Sequence, residues 1–453
     1  MKHTGDRWET SPGGLVSALA PILRHRSGVW AGWTGEVDEN LEPFSHDGID
    51  MITVPLSATE IDNYYLGFCN ETIWPLYHDA VRTPIYRRAW WKAYTQVNTK
   101  FAVTVAEVAI PGDVIWVHDY HLQLLPGAIR ELIPTADVRF FLHIPFPPLE
   151  LFARLPWRKE LVEGLLGANV VGFQTQRSAE NFINAARVFA DAAVDGDSIV
   201  FDEWTTRVVA APISIDRADF IRIAGSPGTV EKTKRLRHDL GNPDIIMLGA
   251  DRMDYTKGID VRLRAFESLL KMRPHLAETT KFVQIAVPSR ETIGDYSTMR
   301  ETVERISGRI NSTYGARHSM PVHYIYESLS REELVAYYRA ADVMVVSPLA
   351  DGMNLVAKEY VASRVDGDGV LLLSEFAGAA HELDRAVLIN PYDIDGMARA
   401  MLQAILMSRD ERQERMRAMR HVVMAHDVQK WINQTLAQPI GNSPRPDPAT
   451  QPR

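Results

Sequence analysis

The stretch that decides the fold is residues 342–360, DVMVVSPLADGMNLVAKEY. Its first part, residues 342–346, is short and apolar enough to be a buried strand, and residues 355–363 have the composition of a helix. The turn between them predicts a junction at the carboxyl end of a strand, where open α/β sheets bind their ligands. The N–H groups of Gly352, Met353 and Asn354 would lack intrahelical partners there, which favours a sugar or an anion as ligand.

Two carboxylates belong to this stretch. Asp351, Leu355 and Glu359 are spaced i, i+4 and i+8, so both carboxylates share one stripe if the helix begins early. One would then contact the near end of a ligand and the other its far end. An ordinary capped helix with a solvated glutamate explains the same residues equally well.

The second half of the chain alternates apolar strand candidates with helical segments. The strand candidates are residues 245–248, 282–286, 322–325, 343–346, 370–373 and 387–389. Such alternation predicts a parallel, doubly wound, Rossmann-like sheet with right-handed crossovers. Helices are predicted at residues 398–407 and 410–436.

The first half contains strand candidates that end in polar residues. Residues 113–117 lead into His118 and Asp119, and residues 137–142 lead into His143. These polar side chains therefore come from the carboxyl ends of successive strands. The remaining predictions are strands at 51–56 and 169–173, a short hairpin of 199–201 with 207–211, and helices at 15–25, 88–109, 126–132 and 178–190.

Length and composition set the domain count and the class of protein. A chain of 453 residues predicts two domains, at 1–214 and 215–437, with the final helices free to pack back on the first domain, and a disordered tail at 438–453. The net charge of −9, without a long Lys/Arg tract, argues against nucleic acid as a partner. The single cysteine, Cys69, and the absence of a signal peptide or an 18-residue apolar run favour the cytoplasm without a membrane partner.

A loop with two cations closes the first strand of the second domain. Arg252 and Lys257 could together grip a diphosphate whose charge increases as it leaves. The alternative is that Arg252 pairs with Asp251 or Asp254 and that Lys257 is solvated. Neither a Gly-x-Gly-x-x-Gly fingerprint nor a P-loop is present, which argues against a dehydrogenase or an NTPase.

Five motifs, taken together, resemble those of the trehalose-6-phosphate synthases, glycosyltransferase family 20. They are GGL (13–15), HDYHL (118–122), HIPFP (143–147), RMDYTKG (252–258) and DGMNLVAKE (351–359). The resemblance covers about residues 10–435 and is far more specific than any single glycine motif. It implies a GT-B fold with two Rossmann-like domains facing across a cleft. It also implies retaining transfer of glucose from a nucleotide diphosphate glucose to glucose 6-phosphate, with no cofactor and no metal.

The same resemblance assigns roles to individual residues. The donor is expected at Gly13, Gly14, Arg252, Lys257, Tyr338, Asp351, Gly352, Met353, Asn354, Leu355, Val356 and Glu359, and the acceptor at Tyr65, Trp74, Asp119 and Arg290. Arg252 and Lys257 would hold the diphosphate, Glu359 the ribose, and Tyr338 would lie near the base. Asp119, His143, Arg252, Lys257 and Asp351 form the expected catalytic set, with His143 lining the donor glucose pocket. In the family, a departing phosphate oxygen takes the acceptor proton during front-face transfer, so the carboxylates position substrate and do not attack.

One feature departs from the family pattern. Members begin with an apolar strand whose arginine holds the acceptor phosphate, whereas residues 1–12 are polar and Arg7 does not match that motif. Either the true start lies upstream or acceptor binding is altered. The sequence as written is then expected to bind the nucleotide sugar better than glucose 6-phosphate.

Two rival functions remain open at this stage. A glucosylglycerol-phosphate synthase would keep the donor site and change the acceptor, and a catalytically impaired regulatory homologue would have lost turnover. No phosphatase motif follows the synthase region, so a bifunctional enzyme is not expected. The sequence leaves open the donor base (UDP, ADP or GDP) and the oligomeric state, a homo-oligomer included.

Overall fold

A computed structural model describes the backbone of residues 2–4 and 7–9, and residues 28–289, 294–316 and 319–438. The chain divides into two compact units, Met1–Pro212 with Trp431–Arg453, and Ile213–Lys430. Gly13, Gly14 and Arg290 lie outside the described residues, as do the predicted helix at 15–25 and residues 439–453 of the predicted tail.

The strands are numbered in chain order. They are β1 Lys2–Thr4, β2 Arg7–Glu9, β3 Val29–Gly32, β4 Phe44–His46, β5 Ile49–Thr53, β6 Val114–His118, β7 Asp137–Leu142, β8 Val170–Phe173, β9 Ala193–Asp195, β10 Ser198–Phe201, β11 Trp204–Ala210, β12 Ile245–Arg252, β13 Thr280–Val287, β14 Val322–Ile325, β15 Val343–Val346, β16 Val370–Ser374 and β17 Val387–Ile389.

The helices are numbered in the same way. They are α1 Ala58–Glu60, a π-helix at Ile61–Ile73, α2 Trp74–Tyr77, α3 Arg88–Val108, α4 Leu125–Leu132, α5 Leu149–Phe152, α6 Arg158–Leu166, α7 Gln176–Phe189, α8 Arg217–Gly225, α9 Pro227–Asp239, α10 Ile259–Met272, α11 Leu276–Thr279, α12 Gly294–Tyr314, α13 Arg331–Ala340, α14 Leu355–Ser363, α15 Ile394–Leu406, α16 Arg409–Ala425 and α17 Val428–Leu436. Short 3₁₀ turns lie at Tyr120–Leu122, Tyr255–Lys257 and Gly378–His381.

The second unit is built on a parallel sheet. Among the described residues its strand order is β14-β13-β12-β15-β16-β17, and all neighbours are parallel. From β12 the chain adds strands on one side of the sheet, and from β15 it adds them on the other. The loops after β12 and β15 therefore lie at the switch point where doubly wound sheets bind ligands. The predicted Rossmann-like alternation is confirmed.

The first unit has a mixed sheet in its described part, ordered β6-β7-β8-β11-β10-β9. β6, β7, β8 and β11 run parallel, and the predicted hairpin is present as the antiparallel pair of β10 with β11. The polar segment at the amino terminus forms an antiparallel pair, β1 with β2, that is separate from this sheet.

Residues 58–77 form helical structure that their aromatic composition did not reveal. Within the π-helix the turns are wide, and the Trp74 N–H donates to the Cys69 carbonyl five residues earlier. Gly67 lies against Trp90, where a Cβ would come within 2.7 Å of the indole. π-Helical turns are uncommon and often occur at functional sites, and this one carries Tyr65 and leads into Trp74.

The end of the chain differs from its prediction. The single helix expected at 410–436 is two helices, α16 and α17, because the chain leaves helical geometry at His426. Within α17 the chain passes from the second unit to the first. There the buried Arg139 donates to the Thr435 carbonyl at 2.9 Å, which fixes the last helix to the first unit.

Candidate active site

The loops after β12 and β15 lie side by side. The Leu349 N–H donates to the Thr256 carbonyl at 2.7 Å, and Ser347 Oγ donates to the Gly258 carbonyl at 3.1 Å. Gly258 has a φ of 60°, and a Cβ there would collide with the Ser347 carbonyl. Only glycine permits this close approach, which fixes the separation of the two loops.

Asp351 belongs to the loop and not to the helix. Asn354, with a φ of 76°, is the N-cap and accepts from the Ala357 N–H at 3.2 Å, so α14 begins at Leu355. The predicted stripe of two carboxylates on one helix is therefore wrong. Instead, hydrogen bonds at 3.1 Å from the Asp351 N–H to Phe376 and from the Gly378 N–H to Asp351 tie the loop to the one after β16.

The N-terminal turn of α14 offers a row of donors. Within the described part of the chain, none of the backbone N–H groups of residues 352–356 donates to a protein acceptor. This includes the predicted donors Gly352, Met353 and Asn354, together with Leu355 and Val356. The positive end of the helix dipole adds to their attraction for hydroxyl or phosphate oxygens.

The two predicted cations have different environments. Lys257 Nζ lies 2.7 Å from Asp351 Oδ2, and the side chains are only 11% and 12% exposed, so Lys257 is not simply solvated. Asn354 Nδ2 contacts the same carboxylate oxygen at 3.1 Å. Arg252 is half-buried, and its guanidinium has no partner anywhere in the described ranges.

The expected alternative partners of Arg252 are engaged elsewhere. Asp251 forms a buried ion pair with Arg262 at 2.6 Å, and Asp254 Oδ1 accepts from the N–H and the hydroxyl of Thr256, both at 2.9 Å. A half-buried arginine that lacks a carboxylate partner in the protein gains a charge-assisted hydrogen bond when an anionic ligand binds beside it. The geometry thus favours the diphosphate interpretation of this loop.

Arg262 was missed by sequence reasoning. It is completely buried, and besides Asp251 it donates from Nε to Ser347 Oγ at 2.9 Å and from Nη2 to the Lys257 carbonyl at 2.8 Å. It therefore connects the ends of β12 and β15 beneath the two cations. Arg262 lies near the start of an amphipathic helix, and nothing in the sequence distinguishes it there from a surface arginine.

Helix α14 also orders the far part of the site. Tyr338 is fully buried and donates from its hydroxyl to Glu359 Oε2 at 2.8 Å. Burial raises the pKa of Glu359, although this hydrogen bond and the nearby Arg331 act in the opposite direction. The neighbouring Lys358 contacts Glu382 at 2.6 Å and donates to the Ile213 carbonyl at 2.8 Å. It thus supports the helix.

In the first unit, Asp119 joins the loops after β6 and β7. Its backbone, at φ 70° and ψ 171°, lies outside the left-handed helical region in which aspartate is common, and this conformation is strained for a residue with a Cβ. Its N–H donates to the Phe141 carbonyl at 2.8 Å, and its Oδ1 accepts from the His143 N–H at 3.3 Å. The structure thereby brings together Asp119 and His143, as expected for successive strand ends.

The His143 ring lies among neutral groups. Its Nε2 is 3.1 Å from His118 Nδ1, and its Nδ1 is 3.4 Å from Gln174 Nε2. Burial lowers the pKa of His143 to about 3, and burial and the neighbouring His143 lower the pKa of His118 as well. Both rings are therefore neutral at physiological pH.

Tyr65 is part of an aromatic wall. Its ring stacks on His121 at 5.8 Å between centroids and meets the edge of Trp33 at 5.4 Å. Trp74 is only 3% exposed, and its ring packs against His78 and Tyr120. Sequence reasoning missed His121 and Trp33 as neighbours of Tyr65, because only the fold brings these segments together.

The described residues contain neither a metal-binding cluster nor a membrane-spanning helix. No group of three or more His, Cys, Asp or Glu side chains among them could hold a metal ion. No helix in the same part of the chain is long and apolar enough to cross a membrane.

Comparison with known proteins agrees with this geometry. The family model of glycosyltransferase family 20 matches residues 1–439. The chain belongs to glycosyltransferase family 20. Trehalose-6-phosphate synthase of Mycolicibacterium smegmatis is 48% identical over 439 residues, which cover 95% of this chain and 87% of the relative. The family predicted from the motifs is confirmed.

Solved structures place this member of family 20 in the GT-B fold class. An α,α-trehalose-phosphate synthase (UDP-forming) from Burkholderia xenovorans in complex with glucose-6-phosphate has a TM-score of 0.89 and 35% identity, and covers 94% of this chain and 96% of its own. An E. coli structure bound with UDP-2-fluoro glucose has a TM-score of 0.90 and 33% identity, with 97% and 99% covered. The predicted α/β GT-B class is thus confirmed.

Proposed function

We propose that the chain is a retaining glucosyltransferase that transfers glucose from UDP-glucose to glucose 6-phosphate, with trehalose 6-phosphate and UDP as products. The observation that carries the proposal is the pair of switch-point loops after β12 and β15, which hold Arg252, without a partner among the described residues, together with the Lys257–Asp351 pair and the N–H donors of residues 352–356. The relatives named above act as trehalose-phosphate synthases, and the solved structures hold glucose-6-phosphate and a UDP-glucose analogue.

The donor is held by opposite charges and by hydroxyl contacts. Arg252 and Lys257 bind the diphosphate, and the N–H groups of residues 352–356 with Asp351 bind the glucose hydroxyls. Glu359 accepts from the ribose hydroxyls, and its hydrogen bond from the buried Tyr338 fixes its rotamer. Carboxylates meet hydroxyls and cations meet phosphates, which is the pairing with the strongest charge-assisted hydrogen bonds.

The same groups stabilise the leaving diphosphate. As the glycosidic bond breaks, negative charge grows on the β-phosphate, and fixed cations that need no reorganisation lower the barrier most. Asp351 receives hydrogen bonds from Lys257 and Asn354, an arrangement suited to positioning a sugar and not to nucleophilic attack. The acceptor attacks from the face that the diphosphate leaves, and a departing phosphate oxygen takes its proton.

The acceptor is assigned to the first unit. Asp119 orients the acceptor sugar and Tyr65 provides an aromatic wall, which the buried Trp74 supports through Tyr120 and His121. Gly13, Gly14 and Arg290 remain predicted contacts outside the described residues. The cytoplasm remains the predicted compartment.

A crossed assay tests the proposal. UDP-, ADP- and GDP-glucose are each combined with glucose 6-phosphate or glycerol 3-phosphate, and products are identified by mass spectrometry and by the anomeric coupling in NMR. The expected result is α,α-trehalose 6-phosphate, fastest with UDP-glucose. Faster transfer to glycerol 3-phosphate would support the glucosylglycerol-phosphate alternative, and UDP binding without turnover would support the impaired homologue.

A further inference from the structure

His143 has both ring nitrogens within hydrogen-bond distance of protein groups. Nε2 lies 3.1 Å from His118 Nδ1, and Nδ1 lies 3.4 Å from Gln174 Nε2. Gln174 is only 3% exposed, so this contact is shielded from solvent. The resemblance to the family assigns a substrate contact to His143 but none to His118.

The direction of these hydrogen bonds follows from the donors present. The amide nitrogen of Gln174 can only donate, so His143 Nδ1 must accept. A neutral imidazole carries one proton, which then lies on Nε2 of His143 and is donated to Nδ1 of His118. The proton of His118 accordingly lies on its own Nε2.

Burial among aromatic rings removes water from the two histidines, and this desolvation disfavours a positive charge on them. Trp431 lies 6.0 Å from the His143 ring and 6.4 Å from the His118 ring, and Trp116 and Phe141 pack against His118 and His143 at 4.5 and 4.9 Å. The ionisable group facing the pair from its own loop is Asp119, which accepts from the His143 backbone N–H. Burial lowers the pKa of both histidines.

We propose that His118 is a positioning residue that holds the His143 ring uncharged, in one tautomer and one orientation, by accepting the hydrogen bond from His143 Nε2. The inference rests on the proposed function, which places His143 at the donor glucose. As the bond to the diphosphate breaks, positive charge develops at the anomeric carbon. A neutral ring fixed in the glucose pocket avoids the repulsion that an imidazolium there would add.

Nitrogen NMR of the full-length chain labelled with ¹⁵N-histidine tests the tautomer directly. The His143 signals are assigned by their loss in His143→Asn. The expected result is one protonated Nε2 and one unprotonated Nδ1 from mildly acidic to mildly alkaline pH. Mixed tautomers in the wild type, or titration of His143 in this range, would overturn the inference.

Two variants of His118 that are isosteric with each other, one neutral and one charged, test the effect on catalysis. His118→Asn keeps a neutral acceptor near the position of Nδ1, whereas His118→Asp adds a charge that raises the pKa of His143 and favours its protonated form. We expect His118→Asn to keep kcat within about threefold and His118→Asp to lose about tenfold, with recovery at higher pH as His143 loses its proton.

Binding of UDP separates this inference from the proposed function. Calorimetry should give both variants a Kd for UDP within about twofold of the wild type, because neither touches Arg252 or Lys257. Equal, pH-independent losses in the Asn and Asp variants would show that His118 acts only in packing and would overturn the inference. A wild type that has the fixed tautomer and binds UDP but makes no trehalose 6-phosphate would overturn the proposed function instead.

Discussion

The candidate substrate-binding residues fall into two sets, one half in each unit, and the two halves use different chemistry. The half in the second unit combines cations, a carboxylate and backbone donors, with the Lys257–Asp351 pair at 2.7 Å and a fully buried Arg262 beneath it. The half in the first unit is built from aromatic rings and neutral histidines around Asp119. Under the proposed function, one half suits a diphosphate whose charge grows and the other suits the sugar ring of the acceptor.

The largest effect is expected for Arg262, the buried ion-pair partner of Asp251 in the second unit. Arg262→Met leaves Asp251 as a buried charge without its partner, so the free energy of unfolding should fall by about 3–5 kcal/mol. Urea denaturation followed by circular dichroism measures this loss. The double variant with Asp251→Asn should regain part of it. A loss below about 1 kcal/mol for Arg262→Met would show that the pair is not a structural support.

The next effect concerns the donor cations. Arg252→Ala or Lys257→Ala should lower kcat/KM by two orders of magnitude or more, because a charge aimed at the leaving group is typically worth about 3 kcal/mol. Steady-state release of UDP measures it. Arg235→Ala is the matched control, since that side chain is 82% exposed on α9. Near-normal transfer by Arg252→Ala would contradict the assignment.

A smaller effect is expected in the first unit. Asp119→Asn keeps the shape of the side chain, and asparagine adopts a positive φ about as readily as aspartate, but it removes the charge proposed to orient the acceptor. KM for glucose 6-phosphate should rise about tenfold, the usual cost of one charge-assisted hydrogen bond. The Kd for UDP, measured by calorimetry, should not change. An unaltered KM for glucose 6-phosphate would remove Asp119 from the acceptor site.

Glu359 provides a test through stability. Burial raises its pKa above the ordinary value of 4.5, so the folded state holds the proton more tightly than the unfolded state and the ionised carboxylate destabilises the fold. Glu359→Gln should therefore raise Tm at neutral pH. The gain should fade as pH falls through the raised pKa toward 4.5, while UDP affinity drops at neutral pH. A Tm gain that is independent of pH would contradict this account.

Chelation should have no effect at all. The sequence lacks metal-ligand spacing, and Arg252 with Lys257 can supply the charge that a metal would otherwise provide. Transfer rates measured before and after exhaustive EDTA treatment should be equal. Loss of activity that magnesium or manganese restores would contradict this prediction.

The sequence predicted the two halves unequally. Strands such as β14, β15 and β17 have their predicted bounds, because short apolar runs between polar turns admit few alternatives. The loops carrying Arg252, Lys257 and Asp351 follow from the same pattern. The left-handed Asn354, which places Asp351 before the helix, follows from loop geometry that no periodicity shows.

The first unit was harder to predict for a physical reason. The contacts of Tyr65 with Trp33 and His121, and of His143 with Trp431, join segments that are distant in the chain. Aromatic residues occur in ligand walls but more often in cores, so composition does not separate Tyr65 from the buried Trp74. Only the folded structure shows which aromatic side chains are buried.

Titration of UDP into matched variants of the two halves tests the division most directly. We expect Arg252→Ala to weaken UDP binding by at least about tenfold and Asp119→Asn to bind UDP like the wild type, because the proposed diphosphate contacts are residues of the second unit. Equal loss of UDP affinity in both variants, or unchanged affinity in Arg252→Ala, would contradict the account.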